Sequence, residues 1–213
     1  EGLPFMEAIR SIRHELPKTN TMNIHLSLVP YIKAAGELKT KPTQHSVQEL
    51  RRIGITPHML VCRTERELPK ALKDKLALAC DIDRNAVIEA GDAQSIYQVP
   101  LQFIKEGILT PLSEHFNIKI KPNMEKWDTF VKNILLPQGE VTIAFVGKYL
   151  DLKESYKSLI EALIHAGAHL STKVNIHWCD SERIEDVGAY DIIGNSDAIL
   201  VAGGFGHRGV EGK

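Results

Sequence analysis

The sequence predicts an α/β protein with mostly parallel, Rossmann-like sheets, helices on both faces of the sheets, and parts of two domains. One observation behind this is that short apolar runs, which suit strands, alternate with amphipathic runs, which suit helices. A second is that the alternation stops at the breaker cluster 136–139 (LPQG) and restarts with the apolar run 140–149. We therefore expect one domain at 1–116, a linker at 117–139 and a second domain at 140–213.

The composition of the chain argues against several classes of protein. The 213 residues can form one large domain or parts of two, and 43% of them are apolar, which is enough for a core. A net charge of −1 argues against a general nucleic-acid binder, because such proteins need a strong basic surplus. No apolar run approaches the ~20 residues of a membrane span, and the opening EGLP has no signal-peptide pattern. The three scattered cysteines favour a reducing compartment, so we expect a cytoplasmic protein without a membrane partner.

Periodicity assigns the elements of the first half in order. Residues 3–15 predict a helix with one apolar face, 24–31 a buried strand, and 47–54 a helix ended by glycine. The remaining predicted elements of this half are a strand at 59–63, a helix at 65–79 interrupted by Pro69, a strand at 86–89, and helices at 101–116 and 124–135.

The second half repeats the pattern. Its predicted elements are a strand at 140–149, a helix at 155–168 and strands at 174–178 and 198–202. The last strand leads directly into the glycine-rich run 203–206. Glycines just after a strand let backbone N–H groups approach a ligand without side-chain obstruction.

The polar stretch 37–47 stands out on the predicted loop between a strand and a helix, an edge where open α/β sheets bind ligands. Lys39 and Lys41 flank Thr40 and can present two ammonium groups to one anion. The amino end of the following helix adds unpaired N–H groups and a partial positive charge. This combination suits a triphosphate. The alternative is a solvated, lysine-bearing loop capped by Thr43 or Ser46.

Three segments in the same order give the chain a resemblance to a known family. KTKPTQHSV at 39–47, EGLPFMEAIR at 1–10 and LVAGGFGHRGVEGK at 200–213 are similar to motifs of the CTP synthase family. That family uses ATP and glutamine-derived ammonia to aminate UTP to CTP. The resemblance runs along the whole chain, and Ala202 departs from the proline that is usual at its position.

The resemblance implies a UTP and CTP site. Its residues are Glu1, Lys39, Thr40, Lys41, Pro42, Thr43, Gln44 and Lys75. Lys75 is selected by the local similarity of KDKLALAC to the family's nucleotide-binding helix. The alternatives are a frayed terminal residue for Glu1 and an ordinary solvated lysine for Lys75.

Two further sites are implied in the same way. An ATP-binding turn maps to Gly91, Asp92 and Ala93, of which Asp92 alone matches by identity; a plain turn with glycine is the competing explanation. In the second half, Gly204 is implied to hold glutamine and to stabilise the oxyanion. The implied lid over the glutamine consists of Phe205, Arg208 and Gly209.

The implied cofactors are ATP and Mg²⁺, and the implied partners are UTP, CTP, ATP, L-glutamine and three further copies in a homotetramer. The nine histidines show no paired ligand spacing, so we expect no metal site within the chain. The chain lacks an initiator methionine and stops inside a glycine-rich motif. We therefore expect an internal piece that lacks the family's phosphate loop and nucleophilic cysteine and is inactive alone.

Two rival functions remain at this point. The same lysine-bearing loop could belong to a non-catalytic module that senses pyrimidine nucleotides and sets the oligomeric state. The run 48–56 (QELRRIGIT) also has the look of a DNA-binding helix-turn-helix, although the charge balance and the flanking strands oppose it.

Overall fold

Two three-stranded parallel sheets, one in each half of the chain, form the framework in the computed structural model, which describes residues 2–204 and 206–213. The chain divides into a first unit, Glu1–Asn123, and a second unit, Met124–Lys213. This division falls inside the segment 117–139 predicted as a linker, and the helix 125–135 belongs to the second unit. The domain limits given above stay predictions.

The first unit carries five helices and five strands among its described residues. The helices are α1 (Leu3–Glu15), α2 (Lys41–Arg52), α3 (Lys70–Cys80), α4 (Val99–Lys105) and α5 (Leu109–Phe116). The strands are β1 (Ile24–Leu28), β2 (Tyr31–Ile32), β3 (Glu37–Leu38), β4 (Met59–Arg63) and β5 (Val87–Ala90). The sheet order is β1-β4-β5 with parallel pairing throughout, and β2 and β3 form a separate antiparallel hairpin.

Strand β4 shows why helices cover both faces of this sheet. Leu60 and Cys62 point to one face and pack with residues of α2 and α3, including Val47 and Leu76. Their neighbours on the strand point to the opposite face, where Met59 and Val61 pack towards α4 and α5. All these strand residues are buried, as expected of a parallel strand covered on both sides. The predicted fold class is confirmed.

The second unit repeats this architecture. Its helices are α6 (Glu125–Leu135), α7 (Lys157–His169), α8 (Ser181–Val187) and α9 (Ala189–Ile193), and its strands are β6 (Gly139–Gly147), β7 (Thr172–Asp180) and β8 (Ala198–Val201). The order is β7-β6-β8, all parallel. Phe145 packs against Tyr156 and Trp178 on one face of β6, whereas Ala144 and Val146 face the side covered by α8 and α9.

Several sequence predictions need correction. The strand predicted at 24–31 ends at Leu28. The apolar residues of β1, Ile24, Leu26 and Leu28, are more than 45% exposed, because they lie on the strand face opposite to His25 and Ser27, which bond to α2. The helix predicted at 65–79 begins only at Lys70, since Pro69 acts as its N-cap instead of interrupting it. The helix predicted at 101–116 is divided at Gly107, whose φ of +87° is incompatible with a continuing helix.

The helix-turn-helix interpretation of 48–56 is wrong. Helix α2 ends at Arg52, and the next element in the chain is the buried strand β4, so there is no second helix to enter a groove. Among the described residues, no helix is both long and apolar enough to cross a membrane.

The contact between α7 and β7 gives the first testable prediction. A Cβ added at Gly167 would lie 2.5 Å from the Thr172 backbone oxygen and 2.9 Å from Val174 Cγ2. We expect Gly167→Ala to lower the free energy of unfolding by about 1–3 kcal/mol, because the backbone must shift to relieve the clash. Gly139→Ala is the matched control, since a Cβ there meets nothing within 4 Å. Chemical denaturation measures both; equal stability of the two variants would contradict the close contact.

Cysteine chemistry gives the second prediction. Cys62, Cys80 and Cys179 are free and buried. Burial raises the pKa of Cys62 to about 12 and raises the pKa of the other two thiols as well. Because the thiolate is the reactive form, iodoacetamide should label the native protein at least roughly a hundredfold more slowly than the protein in guanidinium chloride. Mass spectrometry after timed labelling measures this, and fast native labelling of any cysteine would contradict the packing.

Candidate functional site

The carboxyl ends of β1, β4 and β5 meet at one edge of the first sheet, as parallel pairing requires. Two backbone hydrogen bonds continue this order past the strand ends: Val29 N–H donates to the Arg63 oxygen at 2.8 Å, and Thr64 N–H to the Ala90 oxygen at 3.1 Å. The Lys39 N–H donates to the Pro30 oxygen at 2.9 Å. The hairpin of β2 and β3 therefore places Lys39 just beyond the end of β1.

Helix α2 begins earlier than the sequence predicted. It starts at Lys41, with Pro42 in its first turn and Thr40 as the N-cap residue, so Thr43 and Gln44 are helical instead of lying on a loop. Proline is well tolerated in a first helical turn because the missing N–H has no helical partner there. The alternative interpretation, a loop capped by Thr43 or Ser46, is wrong about the cap; Thr40 holds the N-cap position without a capping side-chain bond.

The two threonines fasten this helix start to the sheet. Thr43 is fully buried, and its Oγ1 donates to the Leu28 oxygen at 3.0 Å while accepting from Ser27 Oγ at 3.2 Å. Thr40 is also buried, and its Oγ1 accepts from Gln44 Nε2 at 3.1 Å. Their hydroxyls thus fix the position of α2 relative to β1. The adjoining Lys41 and Pro42 are exposed.

The carboxylate of Glu37 is affected by two of the predicted lysines, directly by Lys39 and more weakly by the charge of Lys75. Lys39 Nζ forms an ion pair with Glu37 Oε1. The pKa of Glu37 is lowered by the hydrogen bond and charge of Lys39, and further by the charge of Lys75 from α3. Lys41 has no ion-pair partner within the described ranges. Of the three predicted phosphate-binding lysines, Lys39 therefore forms an ion pair within the described residues, and Lys75 acts on the same carboxylate through its charge.

Sequence reasoning missed Glu37. The signal that could have found Glu37 is its distance of two residues from Lys39, since side chains two residues apart in an extended segment point to the same side. A carboxylate two positions before Lys39 is placed to pair with it.

The lysines of α3 have different environments. Lys73 Nζ lies 2.6 Å from Glu106 Oε2 and 3.6 Å from Glu89 Oε2, and all three side chains are largely buried. Lys75 is exposed, and its charge contributes to the lowered pKa of Glu37. The choice of Lys75 as a nucleotide-binding residue stays a prediction.

The predicted ATP turn follows β5 at the same sheet edge. Asp92 forms an ion pair with Arg63, which ends β4. Arg63 Nη1 also donates to the oxygens of Thr64 at 2.8 Å and Ala90 at 3.2 Å. A Cβ added at Gly91 would lie 3.5 Å from Glu89 Oε1, an ordinary contact, so this turn does not require glycine. Arg63 is not among the predicted site residues, although its place at the end of a strand is a signal that could have found it.

In the second unit the predicted glutamine loop follows β8. Gly204 has a φ of +97°, which favours glycine. Lys213 Nζ donates to the oxygens of Ala202 and Gly203 at 2.8 Å and of Gly204 at 3.1 Å. Lys148, at the end of β6, donates from Nζ to the Gly206 oxygen at 2.7 Å. Glu1 and Phe205 were also predicted as site residues, and both lie outside the described residues.

Two of the predicted lid residues, Arg208 and Gly209, lie against α8. Arg208 forms an ion pair with Glu182 and lies over the Tyr149 ring, with its guanidinium carbon 4.9 Å from the ring centre. The hydrogen bond and charge of Glu182 raise the pKa of Arg208. A Cβ at Gly209, where φ is +61°, would lie 2.4 Å from Ser181 Oγ. The positions of both residues are therefore set by α8.

An open cleft of about 800 Å³ lies elsewhere in the first unit. Its lining includes Met22, His58 and Ala86, which immediately precede β1, β4 and β5 or lie close to their starts. It is thus at the amino edge of the sheet, opposite the predicted site, and contains none of the predicted residues. Within residues 2–204 and 206–213, no three His, Cys, Asp or Glu side chains are grouped so that they could hold a metal ion.

Comparison with known proteins agrees with the two-unit organisation. Residues 1–118 match the family described as CTP synthase N-terminus, and residues 151–213 match glutamine amidotransferase class-I.

Curated relatives match over the entire chain. A CTP synthase of Campylobacter jejuni subsp. jejuni (strain 81-176) is 62% identical over 214 residues, which cover 100% of this chain and 39% of the relative. A CTP synthase of Nautilia profundicola is 64% identical over 217 residues, covering 100% of this chain and 40% of the relative. That of Wolinella succinogenes is 64% identical over 214 residues, covering 100% and 39%. The chain spans about two-fifths of the length of these relatives, and it belongs to the CTP synthase family.

Proposed function

We propose that this chain supplies part of the pyrimidine-nucleotide site and one wall of the glutamine site of an enzyme that aminates UTP to CTP. The observation that carries the proposal is the position of Lys39 and Lys41 at the amino end of α2, just beyond the carboxyl end of β1. Two ammonium groups beside the positive end of a helix are suited to a phosphate chain. The family membership supplies the identity of the nucleotide.

Binding of the nucleotide would use three features of this edge. Lys39 and Lys75 would pair with phosphate oxygens in place of Glu37, and the exposed Lys41 would add a third ammonium group. The first N–H groups of α2 have no helical acceptors and carry the positive end of the helix dipole. Gln44 would offer its amide to the nucleotide, whereas Thr40 and Thr43 would act mainly by fixing the helix start.

The reaction in the longer protein would have three stages. ATP phosphorylates O4 of the uracil, glutamine hydrolysis releases ammonia, and ammonia displaces the phosphate at C4 to give CTP. Within this chain, Gly91, Asp92 and Ala93 would border the ATP, held in place through the Asp92–Arg63 ion pair. Gly204 would help to bind glutamine, under a lid that includes Phe205, Arg208 and Gly209. Mg²⁺ would accompany the ATP on ligands outside this chain.

We also propose that the longer protein forms a homotetramer and works in the cytoplasm. Helix α1 has no buried residue, and Leu3, Phe5, Ile9 and Ile12 are each at least 44% exposed. An apolar helix face of this kind is suited to contact with another protein surface.

The lysines give the third prediction. In the full-length protein, Lys39→Ala or Lys41→Ala should raise the KM for UTP about tenfold to a hundredfold, because each loses a charge-assisted contact of about 1.5–3 kcal/mol. Steady-state CTP formation at saturating ATP and glutamine measures this. Lys18→Ala is a matched control, since Lys18 is exposed and precedes the opposite, amino end of β1. An unchanged KM for UTP in both site variants would reject the assignment.

The fourth prediction concerns the chain on its own. It should neither form CTP nor hydrolyse glutamine, because the phosphate loop and the nucleophilic cysteine are expected outside it. Chromatographic assays for CTP and glutamate measure both activities. Turnover of either substrate above that of a heat-denatured sample would show that the remaining segments are not needed.

A further inference from the structure

Two lysines donate hydrogen bonds to backbone oxygens of the loop that follows β8. Lys213 Nζ donates to three consecutive oxygens, those of Ala202, Gly203 and Gly204, at 2.8, 2.8 and 3.1 Å. Lys148 donates to the Gly206 oxygen at 2.7 Å, and only 5% of this lysine is exposed. Four carbonyl groups within five residues thus point to ammonium groups.

The orientation of these carbonyls determines where the N–H groups point. None of the described peptide bonds is cis, and in a trans peptide the C=O and N–H of one unit point in opposite directions. Because the oxygens of Ala202 and Gly203 point towards Lys213, the N–H groups of Gly203 and Gly204 point away from it. Within the part of the chain that the structure describes, neither N–H has a hydrogen-bond acceptor.

Adjacent, unpaired N–H groups on one side of a loop form a concavity that attracts anions. The N–H of the preceding residue, Ala202, is not available, because it donates to the Val146 oxygen at 2.9 Å and continues the sheet. The φ of +97° at Gly204 turns the chain immediately after this pair of N–H groups, a conformation that favours glycine. The result is a pair of donors with ammonium groups behind them.

We propose that Lys213, supported by Lys148, is a positioning residue for glutamine hydrolysis: it holds the loop so that the N–H groups of Gly203 and Gly204 face the oxyanion. This inference rests on the proposed glutamine site at this loop. Preorganised donors lower the barrier because they need no rearrangement when charge develops on the substrate oxygen. Lys213 itself does not touch the substrate; it acts through the peptide units that it orients.

The environment of Lys213 agrees with a specific role. Burial and the charge of Lys148 lower the pKa of Lys213. Two ammonium groups are therefore held close together despite their repulsion, and the carbonyl oxygens offset it. A side chain needed only to fill space would not require a positive charge at this point.

The experiment, which gives the fifth prediction, compares Lys213→Met with Lys213→Arg in the full-length protein. Methionine keeps the approximate length without the donors, whereas arginine keeps charge and donors. We expect Lys213→Met to lower kcat for glutamine hydrolysis about tenfold to a hundredfold with little change in the KM for glutamine, because the donors are misplaced in the transition state. Lys213→Arg should restore much of the rate. CTP formation from added ammonium chloride, which bypasses glutamine, should stay at the wild-type rate in both variants.

Three results would overturn the proposal: an unchanged kcat for glutamine hydrolysis, an equal loss of the glutamine- and ammonia-dependent activities, or no rescue by arginine. A second measurement uses the chain itself, labelled with ¹⁵N-glycine. Lys213→Met should shift the amide resonances of Gly203 and Gly204 and leave that of Gly139 unchanged; unchanged resonances of Gly203 and Gly204 would also overturn it. A wild-type protein that hydrolyses no glutamine would reject the proposed function, and the resonances would still test the positioning of the loop.

Discussion

Parallel strand pairing is the constraint on which the rest of the molecule depends. It brings the carboxyl ends of β1, β4 and β5 to one edge and those of β6, β7 and β8 to the corresponding edge of the second unit. Each crossover between parallel strands has to run over a face of the sheet, and helices provide that path. The segments that leave the strand ends are then free to carry polar chemistry, which is where the lysine-bearing helix start and the glycine loop both lie.

Side-chain hydrogen bonds hold the start of α2 and the glycine loop in fixed positions. The buried hydroxyl of Thr43 binds the Leu28 oxygen, so the first turn of α2 is tied to the end of β1. In the second unit, Lys213 has the corresponding role for the glycine loop. In both places a polar side chain satisfies backbone oxygens that the end of a strand would otherwise leave unpaired.

Hydrophobic periodicity was sufficient to predict the fold class and the existence of most elements, because burial on both faces leaves a strong signal in β4, β5 and β6. Local turn chemistry was harder to predict. The start of α2 was placed six residues late, since Pro42 looks like a breaker although it stands at a tolerated first-turn position. The hairpin of β2 and β3 was missed because two-residue strands have no usable period.

Only part of the candidate site could be predicted from the sequence. Literal similarity selected Lys39 and Lys75, but it could not reveal that the charges of both lysines lower the pKa of Glu37, because that depends on the tertiary fold. The same applies to Arg63 opposite Asp92 and to Lys213 opposite three carbonyls. These pairings join residues that are distant along the chain, and the tertiary fold alone decides them.

The carboxylate of Glu37 has a consequence for ligand choice. At the proposed phosphate site, an anion that binds Lys39 would have to replace a negative group that is already paired with this lysine. The favourable Coulomb energy would then be only the difference between the new partner and the old one, reduced further by solvent at this half-exposed position. A singly charged competitor such as acetate would gain almost nothing from the exchange, whereas a polyanion would gain with every additional charge. Glu37 would thus make the proposed site selective for ligands of high charge.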